Sequence, residues 1–464
     1  MKRISVTVLA LILAACAAGP NYVRPDLKLP EQFRLAPDDA GGLSLGEMQW
    51  WDLYQDPRLR ELIGIALTEN LDIRLSAARV LEARAALGTT HLQLLPQISA
   101  NVGVSRSKTS ADLLRTGQPR FFDSFDAQGN LSYEVDVWGR LRRGTEAARA
   151  ELLASVYAKR AVTVGLVGDV ATSYFDLVTL KQELAISERT VATRLKLVEL
   201  TKAKHSRGVI SGLDVAATEA QLAAARVAIP QQELQIARTE DRLSILLGRY
   251  PQVVPSQDLA AAVRVAPIPP AGLPASLLER RPDVQQAEQQ LVAANARFGL
   301  AKASLFPALT LTGTYGGIST ELSRLFMPST LAWSASAALL LPLLDPQRSL
   351  YQTRSAAARR EAAVINFRQT VLQALQEVAD ALITRSKEAE IEVAQRDQVD
   401  ALRRASVIAH ARYDIGTASY VDVTNADRDL FSAELALATA SGDSLLATVQ
   451  LYRALGGGWQ IAEK

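Results

Sequence analysis

The sequence predicts a mainly α-helical chain that contributes four strands to a membrane β-barrel, three such chains closing a twelve-stranded barrel continued by a long α-helical barrel. Three observations lead there: one structural unit written twice, two very long helical stretches, and four alternating segments of membrane-crossing length. The chain has 464 residues, and 48% of them are hydrophobic, enough for large buried surfaces. Its formal net charge of +2 offers no concentrated basic surface, so nucleic acid is not an expected partner. Short alanine clusters such as Ala147-Ala148 and Ala356-Ala357-Ala358 suit closely packed helices.

The first element, residues 1–15, reads as a signal peptide: Lys2 and Arg3, then a nearly all-apolar run from Ile4 to Leu13, then small residues. It is too short for a transmembrane helix. Cys16, the only cysteine, follows at once, so no intramolecular disulfide forms. Leu13-Ala14-Ala15-Cys16 resembles a bacterial lipobox, which makes Cys16 the expected acylation site. Two or more acyl chains anchor stably, at about 0.8 kcal/mol per buried CH2. Known lipoproteins retained in the inner membrane carry an aspartate next; here it is Ala17, which by that resemblance directs the chain to the outer membrane. Residues 16–58 form the lipidated N-terminal segment.

Two repeats follow, 59–250 and 275–456, joined by a proline-rich connector at 251–274 and trailed by a tail at 457–464. Asp72, Ala85, Gly88, Pro96 and Ile98 return as Asp283, Ala296, Gly299, Pro307 and Leu309, each 211 positions on. Gly208, Ser211, Asp214, Val215 and Leu222 return as Gly416, Ser419, Asp422, Val423 and Leu430, each 208 on. Each repeat opens with a helix, Leu59–Leu94 and Ser276–Leu305, closed by Pro96 or Pro307. The pattern then switches to a period of two. Ile98, Ala100, Val102 and Val104 alternate with polar residues, and so do Ala127 to Val137, Leu309 to Tyr315 and Trp333 to Leu341.

Long helices come next, Gly139 to about Lys204 and Asp345 to about Tyr413, the second with Asp345 as N-cap and Pro346 in its first turn. Each would run about 100 Å and is studded with charge, so neither is expected in lipid. Turns at Gly208 and Gly416 send the chain back as shorter helices. Leu430, Ala433, Leu437, Ala440, Ser444, Ala447, Leu451 and Ala454 form a coiled-coil seam. Its first-copy counterpart, Leu222 to Leu246, is less apolar, and Pro230 is expected to kink it.

Four strands cannot close a barrel, and open edges in lipid are prohibitive, so other copies must supply the missing strands. Two copies give a lumen filled with side chains; three give a usable channel, making a homotrimer the smallest conduit.

Tyr22-Val23-Arg24-Pro25, Tyr133-Glu134-Val135-Asp136-Val137-Trp138-Gly139, Glu279-Arg280-Arg281-Pro282-Asp283, Phe306-Pro307 and Leu455-Gly456-Gly457-Gly458-Trp459 resemble the outer-membrane efflux protein (TolC-like) family. The likeness is to the lipoprotein branch serving resistance–nodulation–division pumps, and it covers essentially the mature chain. It implies a trimer of twelve membrane strands over a periplasmic helical barrel, met by a periplasmic adaptor protein and an inner-membrane efflux pump. The family's Phe-Asp-x-Gly turn after the fourth strand is Leu344-Asp345-Pro346-Gln347 here. Gly208, Ser211, Asp214, Gly416 and Ser419 belong to the hairpins expected to form the adaptor-docking tip. Arg412, Tyr413, Asp422, Asn425 and Asp427 are the expected periplasmic gate. In family members a carboxylate stands where Asn425 does, so Asp422 or Asp427 must supply the charge facing Arg412, or the gate is looser.

Catalytic residues, metal ligands and cofactors are not expected: His91, His205 and His410 are scattered, and no phosphate-binding loop occurs. Alternatives are an exit channel for ABC-type protein secretion and a lipid-anchored coiled-coil scaffold, which would have no use for membrane strands. A copper or silver exporter would favour Met and Cys ligands, and the only methionines are Met1, Met48 and Met327. The lipobox generates the first test. Replacing Cys16 (Cys16→Ser) should abolish incorporation of labelled palmitate, and undiminished labelling would sink the acylation reading.

Overall fold

Proline, glycine and capping side chains punctuate this chain, and its helices and strands fall between them. A computed structural model describes residues 17–30, 33, 56–110, 112, 120–256, 277–340 and 346–457. Cys16 and Asp345 lie outside the described residues. The elements in order are α1 (Pro57–Glu69), α2 (Leu71–Leu92), β1 (Gln97–Lys108), β2 (Phe121–Val135), α3 (Arg140–Ser206) and α4 (Gly212–Leu246). Then come α5 (Leu277–Arg280), α6 (Pro282–Ala303), β3 (Ala308–Ser319), β4 (Leu331–Leu340), α7 (Pro346–Asp414) and α8 (Tyr420–Ala454).

The chain separates into two units. One comprises Met1–Asp26, Arg79–Val156 and Gln286–Arg368; the other comprises Leu27–Ala78, Tyr157–Gln285 and Gln369–Lys464.

The first unit carries the sheet, four antiparallel strands in the order β1-β2-β3-β4. Its register puts Ile98 opposite Leu131, Val102 opposite Ala127, Tyr133 opposite Leu311, and Tyr315 opposite Trp333. Following those pairs across the sheet, one face is apolar up to the row of Val104, Phe125 and Ser319: Ile98, Val102, Val104, Leu131, Tyr133, Leu309, Leu311, Tyr315, Trp333 and Leu339 all share it. The opposite face carries Ser99, Asn101, Gln128, Asn130, Thr310, Thr312, Thr314, Ser334 and Ser336. Cross-strand hydroxyl pairs tie it together, Thr312 to Ser336 at 2.7 Å and Thr314 to Ser334 at 2.8 Å. Most of the apolar side chains are exposed; Ile98, Trp333 and Leu339 are each at least 70% accessible. Large apolar surfaces on a soluble sheet are normally buried, whereas a membrane strand turns them to lipid.

β2 starts at Phe121 and ends at Val135, so the expected strand is longer above and shorter below. Asp136 leaves the ladder because its carboxylate accepts from the backbone N–H groups of Leu141 and Arg142 at 3.0 and 2.9 Å. That satisfies two of the orphan donors at the start of α3. Gly139 makes the turn at φ +75°. Beside it Trp138 stacks on Phe306 at 4.7 Å and donates from Nε1 to the Pro307 carbonyl at 3.0 Å. A tryptophan with an apolar body and a polar tip suits the foot of a membrane strand.

The second unit holds the apolar core. Leu59, Leu62, Ile63 and Ala66 of α1 pack with Val170, Tyr174, Leu177 and Val178 of α3, and with Leu243, Leu247, Val449 and Leu455. Asp56 caps α1 by accepting from the Arg58 and Leu59 N–H groups, and its other oxygen accepts from the Tyr174 hydroxyl at 2.6 Å. An apolar window within α3 is long enough to cross a membrane, but 67% of it is buried inside the protein, as in a core helix.

Two expected helices are each divided. The first breaks at Asn70, whose side chain accepts from the Asp72 and Ile73 N–H groups and donates to the Leu246 carbonyl at 2.9 Å. Asn70 thus caps α2. The second breaks at Arg281 before Pro282. Arg281 is buried, donates to the Ala454 carbonyl at 3.0 Å and pairs with Asp283 and Glu377. Pro230 sits inside α4 without ending it. Along α4 and α8 every seam position named above is buried or half-buried, Gln232 and Thr239 included.

The sheet's two faces make a direct test. Arginine at Ala335, in the middle of the apolar face, should cost about 2–4 kcal/mol of stability in lipid. Ala338→Arg, on the polar face, should cost much less. Urea unfolding midpoints in lipid vesicles check it, and equal losses would reverse the face assignment.

Candidate functional site

Three groups of residues bear on function: the N-terminal strap, the two hairpin turns, and the polar cluster beside the second turn.

The strap is the stretch after Cys16. The backbone N–H of Ala18 donates to the Trp138 carbonyl at 2.9 Å. Ala17 lies against Gly139, where a Cβ would stand 3.1 Å from it. The buried Arg143 donates to the Gly19 carbonyl and to Asn21 Oδ1, at 3.2 and 2.8 Å. Asn295 donates to the Pro20 carbonyl at 3.0 Å. Gly19, at φ +88°, approaches Gly299 so closely that a Cβ there would lie 2.6 Å from the Gly299 Cα. Both must be glycine for the strap to lie down. Farther on, Arg24 grips the Glu288 carboxylate with two bonds of 2.6 Å, and the Tyr22 hydroxyl donates to it at 2.9 Å. Burial and that carboxylate push the Tyr22 phenol up. The residue next to Cys16 is therefore fixed beside Trp138, at the foot of the strands.

The hairpin turns are built identically. Gly208 and Gly416 take φ +73° and +74°. Their N–H groups donate to the carbonyls of His205 and Tyr413, at 2.8 and 3.0 Å, closing the preceding helices. Ser211 and Ser419 then cap the returning helices, each in a capping box with Asp214 or Asp422. The five expected tip residues thus serve helix endings and starts. Two apolar side chains beside them, Leu213 and Val421, occupy matching repeat positions and are exposed. Each stands between the capping serine and its aspartate partner, an apolar residue inside the capping box.

Beside the second turn, Tyr413 and Tyr420 meet edge-to-face at 5.3 Å, and the Lys204 ammonium lies 4.7 Å from the Tyr413 ring centre. Burial raises both phenols, so they stay neutral at physiological pH. Asp427 accepts from the Ser406 hydroxyl at 2.6 Å and pairs with His410 at 2.9 Å. Asp422 is occupied by Ser419, at 2.9 Å from both its N–H and its hydroxyl. Arg412 reaches only the Thr417 carbonyl among the described residues, at 3.5 Å. Among the described residues, one chain therefore does not bring Arg412 to Asp422, Asn425 or Asp427, and Arg412 and Asn425 both stand exposed. His205 binds the Ile210 carbonyl at 2.9 Å, within its own turn. No group of three or more His, Cys, Asp or Glu is placed to hold a metal among the described residues.

A one-sided sheet ending in aromatic feet, joined to paired long helices, defines an outer-membrane channel subunit. The sequence model described as outer membrane efflux protein matches residues 62–249 and 273–457, so the chain belongs to that family and is an outer-membrane channel component of an efflux system. It is 33% identical over 466 residues to the probable efflux pump outer membrane protein TtgC of Pseudomonas putida, covering 98% of this chain and 95% of that protein. The probable outer membrane lipoprotein SilC of Salmonella typhimurium is 30% identical, with 99% of each chain covered. The open-state crystal structure of the Neisseria gonorrhoeae MtrE outer membrane channel superposes with a TM-score of 0.87 at 29% identity, covering 96% of this chain and 99% of that one.

Proposed function

We propose that three copies of this chain close a twelve-stranded barrel and form the passive exit duct of a tripartite efflux pump for small molecules such as drugs. One observation carries the reading. The sheet has an apolar and a polar face, and neither outer edge, on β1 or β4, has a partner strand within the described residues. In lipid those edge groups need hydrogen bonds, which neighbouring copies supply. The polar face then lines the lumen. No part of this arrangement consumes energy or alters cargo, so an inner-membrane pump drives transport, reached through a periplasmic adaptor. Cys16 bears the lipid anchor, and Ala18, two residues on, is held at Trp138. Residues 59–250 and 275–456 act as two repeats of one unit.

The adaptor docks on the hairpin tips, using the exposed Leu213 and Val421 around the shared glycine-and-serine frame of Gly208, Ser211, Asp214, Gly416 and Ser419. Bulky residues at Gly208 and Gly416 would strain a left-handed backbone position. Such a double variant should lose efflux while trimers still form, and unimpaired drug resistance would remove the tips from docking.

Arg412, Tyr413 and Asn425 form the resting gate, across the boundary between copies. Asp427 is held by Ser406 and His410, and Asp422 by Ser419, so the neutral Asn425 is the facing partner and this gate is loose. A carboxylate would bind a guanidinium roughly twice as strongly as a neutral group does. In planar bilayers Arg412→Ala should raise the single-channel open probability and Asn425→Asp should lower it. Unchanged opening in both variants places the gate elsewhere, and the absence of discrete conductance steps in any of them sinks the duct itself.

A further inference from the structure

The loop from Thr320 to Thr330, between β3 and β4, is ordered by its own backbone. Two short 3-10 turns, Leu322–Arg324 and Pro328–Thr330, shape it. The Thr330 hydroxyl lies 2.8 Å from the carbonyls of Arg324 and Met327. What distinguishes this loop is the side of the sheet on which it lies. Leu325 is 3% exposed, and its carbonyl and side chain cover Gly317 where a Cβ would project. By register Gly317 pairs with Leu331 and Ala127, on the same face as Tyr315 and Trp333. The loop therefore folds back over the apolar face and not over the polar one.

The height of the loop follows from the same register. Val104 pairs with Phe125, and Phe125 with Ser319. Beyond that row the same face becomes charged, with Arg106 3.6 Å from Asp123 and Lys108 over the Phe121 ring. The apolar band ends at Ser319, and the loop begins there and doubles back to Gly317. It presents Leu322, Phe326 and Met327 outward, Phe326 being 83% exposed. They stand beside the end of the apolar band, the height at which a lipid-facing sheet would meet the boundary between hydrocarbon and water.

We propose that this loop is a lipid-seated clasp, with Leu322, Phe326 and Met327 immersed among acyl chains just beneath the outer-leaflet headgroups. The clasp holds the free end of the β3–β4 hairpin at a fixed depth. It rests on the apolar face of the sheet being turned to lipid, as the proposed duct requires.

Single-cysteine variants of the full lipidated chain test it, with the unsubstituted protein as the labelling blank because its only cysteine is Cys16. Phe326→Cys, Ser323→Cys and Ala335→Cys would each carry an environment-sensitive NBD probe in phosphatidylcholine vesicles. The Phe326 probe should be quenched at least twofold more than the Ser323 probe by lipids bearing a nitroxide near the headgroup end, and less by aqueous iodide. Iodide quenching equal to that at Ser323 overturns the clasp, because the loop then stands in water. Protection from both quenchers also overturns it, because a neighbouring copy then covers Phe326. The Ala335 probe separates the two readings: if lipid fails to quench it as well, the facing of the whole sheet is wrong and not the loop alone.

Discussion

Every amide and carbonyl that enters hydrocarbon must find a hydrogen bond there, and this chain cannot meet that demand alone. Its sheet satisfies the inner rows through three antiparallel pairings and, among the described residues, leaves β1 and β4 with open outer edges. In water such edges would be blunted by charge or proline. Here β4, Leu331–Leu340, offers neither. The sequence is written for an edge that will be covered, and the demands on the rest of the chain follow. The strands must start and stop at a common depth, and the helices must leave them in a defined direction. Asp136, Gly139 and Trp138 accomplish this at the foot of β2, each through a backbone constraint.

Duplication explains how a long chain meets those demands with few devices. The turn at Gly208 and the turn at Gly416 repeat the same left-handed glycine and the same Ser–Asp capping box. The copies diverge where neighbours differ. At position 205 a histidine binds its own turn, whereas its counterpart Tyr413 meets Tyr420 edge-to-face. Similarly the seam of α8 is alanine- and leucine-rich, while α4 buries Gln232 and Thr239 at equivalent places. The seam of the second copy is therefore the more apolar of the two.

Much of this architecture was legible because it rests on periodicity and on residues with strong local preferences. Alternation fixed the faces of all four strands, and a spacing of three and four fixed the seams. Gly208, Gly416, Ser211 and Ser419 announced their turns through backbone chemistry that acts over a few residues. Asn70 went unread because a mid-helix asparagine is tolerated. Its capping role depends on a carbonyl at Leu246, far along the chain. The upper half of β2 was missed because Phe121 and Phe122 stand side by side above the apolar band, where alternation is no longer enforced. Glu288 gave no sign of holding Tyr22 and Arg24, since only the folded chain brings them together. Charges along a helix face do not say which are already engaged, and Asp427 is taken by Ser406 and His410, not by Arg412.

The hydroxyl-rich face of the sheet has an electrical consequence. Its serines, threonines, asparagines and glutamines carry no net charge, and of its two carboxylates Glu134 is neutralised by an arginine while Asp126 keeps its charge. Asp126 accepts from the Asn101 amide at 2.7 Å, and Glu134 is clasped by Arg140. A wall of this kind presents weak, interchangeable dipoles. Apart from Asp126 it presents no uncompensated charge, and its exposed large apolar side chains are Ile318 and Leu340. A barrel lined by this face would discriminate weakly among neutral molecules, and their selection would fall to whatever admits them at the far end.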